Sequence, residues 1–432
     1  MKLSSTFVLW TFLSSALFAI AAPANDIRGD DDRESSDKNS KSLKSMERKY
    51  KRSIREILDK RDRNHKCNAR TVSIRREWGS MSRGDRLDYI KAVQCFTKKA
   101  SISNPNVVPG ARNRLDDFAA AHIQETNNIH FNGNLYAWHR HFVWTYEQAL
   151  RQECGYQGAQ PYWDWTINAD DPRLSPVFDG SKHSMGSNGK VIPHGATLLT
   201  AFGKDFTLPP GTGGGCIEKG PFSDLKVNLG VNPVILPAAA TAAAVAAAAT
   251  AAVGTGIAPP NITTVDARIK VNTTGINPAL QYNPRCLTRD INLFWSKQTR
   301  VSDVEFVLGC PTVDCLEKRA DGWEFGPDVP QPLIHAAGHF AVGGLQNDPF
   351  ASPGDPVFFL HHGQFDRLWS IWQGQDLKNR VNQVGGTKTP FNEPPSAPVT
   401  PDDILAFGAI AQPVKHRDTH STIDGQYCYM YD

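Results

Sequence analysis

Ile334-His335-Ala336-Ala337-Gly338-His339 places two histidines four residues apart. On a helix that spacing puts both rings on one face, where they can share an ion. A loop with Pro353 and Gly354 then leads into Asp355-Pro356-Val357-Phe358-Phe359-Leu360-His361-His362, whose paired histidines offer a third ring. Upstream, His122 and His130 precede Trp138-His139-Arg140-His141-Phe142, which opens a segment with apolar residues at Phe142, Val143, Tyr146 and Leu150. That helical period buries one side and predicts His139 at the start of a helix, facing inward. Each cluster supplies three imidazoles, which argues for two metal ions rather than one.

Imidazoles without a ligating thiolate or carboxylate suit copper, zinc, iron or nickel. Zinc hydrolysis is disfavoured, because Ala336 stands where a His-Glu-x-x-His protease carries its general base. A lone histidine is more often packed or solvated than ligating, and His65, His183, His194, His416 and His420 are read that way. His141 and His361 are read as packing neighbours of stronger candidates. The clustered rings differ, since buried imidazoles embedded in aromatic sequence need a partner on each nitrogen.

Further pieces carry a resemblance. Trp138-His139-Arg140 with Tyr146-Glu147, Pro161-Tyr162-Trp163-Asp164-Trp165, His335-x-x-x-His339, and Asp355-Pro356 running to His361-His362 and Asp366-Arg367-Leu368-Trp369 together resemble the type 3 copper proteins. That family comprises tyrosinases, catechol oxidases and the oxygen carriers of molluscs. The likeness runs from about Cys67 to the C-terminus. It implies His122, His130 and His139 as ligands of one copper and His335, His339 and His362 as ligands of a second. His362 is preferred to His361 because the family's ligand lies four residues before an aspartate, a place that Asp366 fills. It also implies dioxygen and a small phenolic substrate as partners: an o-diphenol gives up two electrons to become an o-quinone, and an o-aminophenol a quinone imine. Some members hydroxylate monophenols, and the carriers, which are tandem arrays, only bind oxygen reversibly. No catalytic residue is expected beyond the copper ligands, with Asp366 and Glu147 anchoring ligand rings or the nearby Arg140 and Arg367.

Two positions depart from the family. Many relatives carry a cysteine two residues before the second histidine and join the two side chains by a thioether; Asn128 occupies that place. Tyrosinases with strong monophenol activity often carry asparagine directly after the fourth histidine, where it helps hold a water that deprotonates the phenol. Ala336 offers no polar group there, although Glu324 or Gln331 stand upstream as possible holders of that water. The expectation is oxidation of rings that are already dihydroxylated or aminophenolic.

Helical patterns near 83–99, 115–125, 139–151, 333–341 and 362–373 supply a mainly α fold, a four-helix bundle housing the dicopper centre, with long loops and few short strands. Residues 67–432 are read as one catalytic domain. Before it, 1–21 reads as a secretory signal peptide. Residues 22–66, rich in charge and serine, read as a leader or propeptide unable to fold alone, with dibasic pairs at Lys51-Arg52 and Lys60-Arg61. Eight cysteines in an exported chain predict disulfides, and Asn261 and Asn272 begin glycan acceptor sequences. A net charge of +3 over 432 residues, with no basic stripe, argues against nucleic acid, and no apolar run is long enough to span a membrane. Residues 237–260 form an alanine-rich insertion. The Tyr427-Cys428-Tyr429-Met430-Tyr431 ending matches the family's catalytic-domain terminus, so no shielding C-terminal domain is expected and any cover must come from the leader, Phe340 or Phe359.

Overall fold

Asn113 sets the start of the first histidine-bearing helix: its side chain accepts from the Asp116 amide while Asp116 accepts from the Asn113 amide, a capping box worth about 1 kcal/mol. The computed structural model describes residues 31–232, 234–235, 277–322 and 334–432. The expected signal peptide, the alanine-rich insertion, Asn261, Asn272, Glu324 and Gln331 all lie outside those residues.

The main helices are α1 (Asp31–Lys60), α2 (Arg83–Phe96), α3 (Arg114–Ile129), α4 (Leu135–Cys154), α5 (Val301–Leu308), α6 (Val313–Asp321), α7 (Ile334–Val342) and α8 (Val357–Gly374). The strands named below are β1 (Ser73–Arg75), β2 (Thr197–Ala201), β3 (Lys204–Leu208), β4 (Val234–Ile235) and β5 (Tyr429–Tyr431). The fold is thus mainly helical, with α3, α4, α7 and α8 carrying the clustered histidines except His130, which follows α3 in extended conformation.

Two helices begin earlier than the sequence suggested. α4 starts at Leu135, so His139 sits one turn inside, because Leu135, Tyr136, Ala137 and Trp138 are themselves buried and extend the inward face. α8 starts directly after Pro356, a residue tolerated at a helix start, which places His361 and His362 in its second turn. The α4 helix ends at Gly155, whose φ of 68° takes the left-handed cap.

An aromatic seam joins these helices. Phe359 of α8 stacks on Tyr146 of α4 with ring centroids 3.5 Å apart and packs near Phe118 of α3 and Phe142 of α4. Phe359 is therefore core, not a cover for the site.

Beneath the seam lies a buried charged network. Asp366 accepts from Arg140 Nε at 2.5 Å, Arg75 Nη1 at 3.2 Å and the hydroxyls of Tyr429 and Tyr431. Glu147 pairs with Arg75 and Arg151. Burial pushes the Asp366 carboxyl up, but Arg140 and Arg75 outweigh it and hold it below the usual carboxylate range. β1 pairs in parallel with β5, and the Cys67–Cys428 bridge fastens that pair. Asp366 and Glu147 thus anchor arginines rather than ligand rings, and Arg367 turns instead to Glu47 and Asp164.

The leader also differs from expectation. From residue 31 its described part is a helix docked on α8 and α5. Leu43, Tyr50, Ile54 and Leu58 fall on one stripe and are buried, while the Tyr50 hydroxyl accepts from the Tyr431 amide. The charged composition hid an apolar stripe at helical spacing, so a segment that cannot fold alone folds against the body.

All eight cysteines are paired: Cys67–Cys428, Cys95–Cys154, Cys216–Cys286 and Cys310–Cys315. None remains to ligate metal or to form a thioether. Among the described residues no helix is long and apolar enough to cross a membrane.

Candidate metal centre

Five of the clustered rings are fixed by what their Nδ1 atoms face. His122 Nδ1 meets the Phe350 carbonyl at 2.8 Å, His130 Nδ1 the Thr126 carbonyl at 2.9 Å and His139 Nδ1 the Leu135 carbonyl at 2.7 Å. His335 Nδ1 meets Asp321 Oδ1 at 2.6 Å and His339 Nδ1 meets Gln346 Oε1 at 2.8 Å. Each of these partners accepts, so Nδ1 must donate and Nε2 is left as a bare lone pair.

Those lone pairs converge. His122 and His139 bring their Nε2 atoms to 3.4 Å, and His339 and His362 bring theirs to 3.1 Å. Two ring nitrogens bound about 2.0–2.1 Å from one tetrahedral ion lie roughly 3.3 Å apart. His335 Nε2, also buried, has no hydrogen-bond partner. Burial holds His122, His139, His339 and His362 well below the ordinary histidine pKa and His130 at about 4, so these rings are neutral. Facing neutral lone pairs in an apolar interior repel unless a cation lies between them, and the donor set therefore fits a pair of soft-to-borderline metal ions.

Two groups form: His122, His130 and His139, and His335, His339, His361 and His362. They face each other closely, with the His139 and His362 rings stacked 4.3 Å apart. All six sequence-selected histidines are brought together, and both His361 and His362 lie in the second group, in different surroundings. His362 points Nε2 at His339 and lies under Phe358 at 4.1 Å. His361 packs instead against Trp165 and the bare backbone of Gly338, where an added Cβ would come within 2.4 Å of the ring.

The network below the seam sets the spacing. Arg140 follows His139 on α4, and Asp366 lies one turn beyond His362 on α8, so their ion pair ties one group to the other. The histidines set aside have ordinary surroundings: His194 pairs with Asp290, His416 with His420, His65 meets the Cys67 carbonyl, and His141 meets the Tyr427 hydroxyl. His183 lies half-buried near the surface.

Sequence reasoning missed Asp321 and Gln346, isolated polar residues belonging to no motif. Asp321 accepts from His335 through Oδ1 and from the Phe131 amide through Oδ2; Gln346 is itself oriented by donating to the Ser352 carbonyl. Asp321→Asn is expected to weaken metal binding about 10–100-fold, measured by titration against a competing chelator. Unchanged affinity would remove Asp321 from the site.

A cleft opens above the rings, walled by Phe131, Leu199, Ala201, Phe202, Ala336 and Phe340. Among the described residues lining it, none belongs to α1. Asn128 is on the exposed side, bonded to Glu125. Phe202 occupies a left-handed conformation, φ 55°, between β2 and β3, which costs about 1–2 kcal/mol for a residue with a Cβ. A residue followed by glycine between two β-rich runs was the available sign of this hairpin.

Residues 112–375 match the family model described as the common central domain of tyrosinase. The chain is 39% identical over 334 residues to the tyrosinase-like protein orsC of Emericella nidulans, covering 76% of this chain and 80% of that one. It is 34% identical over 383 residues to N-acetyl-6-hydroxytryptophan oxidase ivoB of the same fungus, covering 85% and 94%. Among solved structures, a polyphenol oxidase variant (G292N) from Thermothelomyces thermophila superposes with a TM-score of 0.75 at 34% identity, covering 90% of this chain and 98% of that one.

Proposed function

The chain belongs to the tyrosinase family of type 3 dicopper oxidoreductases, and from that premise we propose that it oxidises o-diphenols or o-aminophenols to o-quinones or quinone imines. The observation that carries this reading is the convergence of bare Nε2 atoms in two facing groups. His122, His130 and His139 hold one copper, and His335, His339 and His362 hold the other. Bound there, the copper pair supplies two-electron oxidation with dioxygen as the acceptor, so that two o-diphenols and one dioxygen yield two o-quinones and two waters.

The chain's own residues do the rest. Carbonyls of Leu135, Thr126 and Phe350 with the side chains of Asp321 and Gln346 hold five rings in the ligating tautomer. The buried aromatic shell excludes water and raises the strength of these bonds. Ala336, at the cleft wall, has no group with which to hold a base-like water, which favours substrates whose second hydroxyl or amine is already in place. Ala336→Asn is expected to raise the ratio of tyrosine hydroxylation to catechol oxidation about tenfold, the scale of one added hydrogen bond to a polarised group. An unchanged ratio in parallel oxygen-uptake assays would remove residue 336 from the argument.

We also place the protein outside the cell, exported by residues 1–21, because four disulfides persist in oxidising compartments. Copper-loaded protein given catechol, 2-aminophenol and tyrosine under air tests the activity. Rapid oxygen uptake with the first two and slow uptake with the third supports it. Reversible oxygen binding without quinone, or no reaction with either of the first two, refutes it.

A further inference from the structure

β2 and β3 pair in register from Thr197↔Leu208 to Ala201↔Lys204, leaving only Phe202 and Gly203 to turn the chain. Both have positive φ, 55° and 74°, which is the type I′ geometry that asparagine followed by glycine satisfies best. Phenylalanine is a poor choice for the first place, so the turn itself does not account for it. Its contacts do: the ring lies 5.0 Å from Phe131, 5.8 Å from the His130 ring and 6.3 Å from Phe350, nearly parallel to the last. Strain of this kind collects where a side chain must be aimed. Here the aim is into the cleft, beside a ring of the first histidine group.

We propose that Phe202 is a specificity-determining residue, a hairpin-borne aromatic wall that selects uncharged rings with bulky apolar substituents over zwitterionic amino-acid phenols such as dopa. The proposal rests on the diphenol or aminophenol reading above and names the substrate class within it. Leu199, Ala201 and Phe340 add to the apolar lining of the same cleft. Among the described residues lining the cleft there is no lysine or arginine, and both oxygens of Asp321 are already engaged. A substrate carboxylate entering here would lose water and meet no cationic side chain among these residues, with only the neutral Asn347 and Ser352 to offer donors, whereas an apolar substituent would pack on Phe202.

Phe202→Asn separates the two roles of the position. Because Asn-Gly suits the turn, the copper-free variant is expected to unfold at the same temperature as the wild type or higher. Binding of 4-tert-butylcatechol to the copper-loaded protein without oxygen is expected to weaken about three- to tenfold relative to unsubstituted catechol, the scale of one lost aromatic contact. Under air, KM for the bulky substrate should rise by a similar factor while kcat changes less. Phe202→Tyr, which keeps the ring, should retain the wild-type preference.

A binding ratio within twofold of wild type overturns the proposal. So does a lower unfolding temperature in Phe202→Asn accompanied by equal losses on catechol, 4-tert-butylcatechol and dopa, since that pattern marks a purely structural role. Should the wild type bind catechols yet not oxidise them, the proposed activity fails while the binding ratio still decides the role of Phe202.

Discussion

Replacing His339 with alanine is expected to halve the copper content, to about one ion per chain, and to reduce catechol oxidation under air to background. His339 brings its Nε2 to 3.1 Å from that of His362, and its Nδ1 is aligned by Gln346, which Ser352 orients in turn. Without that ring the proposed ligand set of the second group falls to His335 and His362, too few to close a copper site in competition with solvent. The two-electron oxidation would draw on both copper ions, so losing one is expected to remove the reaction rather than slow it. The chain should remain folded. Leaving Gln346 without its donor costs about 1–3 kcal/mol, against a typical total stability of about 5–15 kcal/mol. Copper analysis, oxygen uptake and thermal unfolding of the copper-free variant together make the check. A variant retaining both coppers and full activity would show that the second group has been assigned wrongly.

Removing residues 1–61 is expected to unfold the protein or lower its unfolding temperature by at least about 15 °C. Leu43, Tyr50, Ile54 and Leu58 are each at most 6% exposed in the packed helix. Full burial of such a side chain contributes about 1.5–3 kcal/mol, so the four together approach the whole stability of an ordinary domain. Truncation would also strip Glu47 from the buried Arg367, leaving that guanidinium the longer 3.6 Å pairing with Asp164, and weakening the pairing of a buried charge is destabilising. The dibasic pair at Lys60-Arg61 is tied into the fold: the Arg61 guanidinium donates to the Cys67 and Ile423 carbonyls and pairs with Asp424. The mature protein should therefore retain α1, visible as an intact mass that includes Leu43. A truncated chain with an unchanged melting curve would return the segment to the status of a dispensable leader.

The site was more legible than its supports. Helical spacing alone joined His335 to His339, and a family pattern chose His362 over His361, two rings that the fold brings into the same group. Helix ends were misjudged at Leu135 and Val357, because buried apolar residues extend a helix backwards beyond the first residue of obvious chemistry. Asp321 is fourteen residues from His335 in sequence, and no local pattern links a lone carboxylate to a distant imidazole. The docking of the leader was not legible because composition averages over a stripe: Leu43, Glu47, Tyr50, Ile54 and Leu58 share one face, yet they are outnumbered by charged neighbours on the others. Asp366 and Glu147 were recognised as anchors, but only tertiary packing could show that Arg140 and Arg75, not ligand rings, are what they hold.

The most direct test of the dicopper assignment is anomalous scattering at the copper edge from copper-replete crystals. Two peaks are expected in each chain, one within bonding distance of Nε2 of His122, His130 and His139, the other within bonding distance of Nε2 of His335, His339 and His362. A single peak, or a second peak bound by His361 in place of His362, would contradict it.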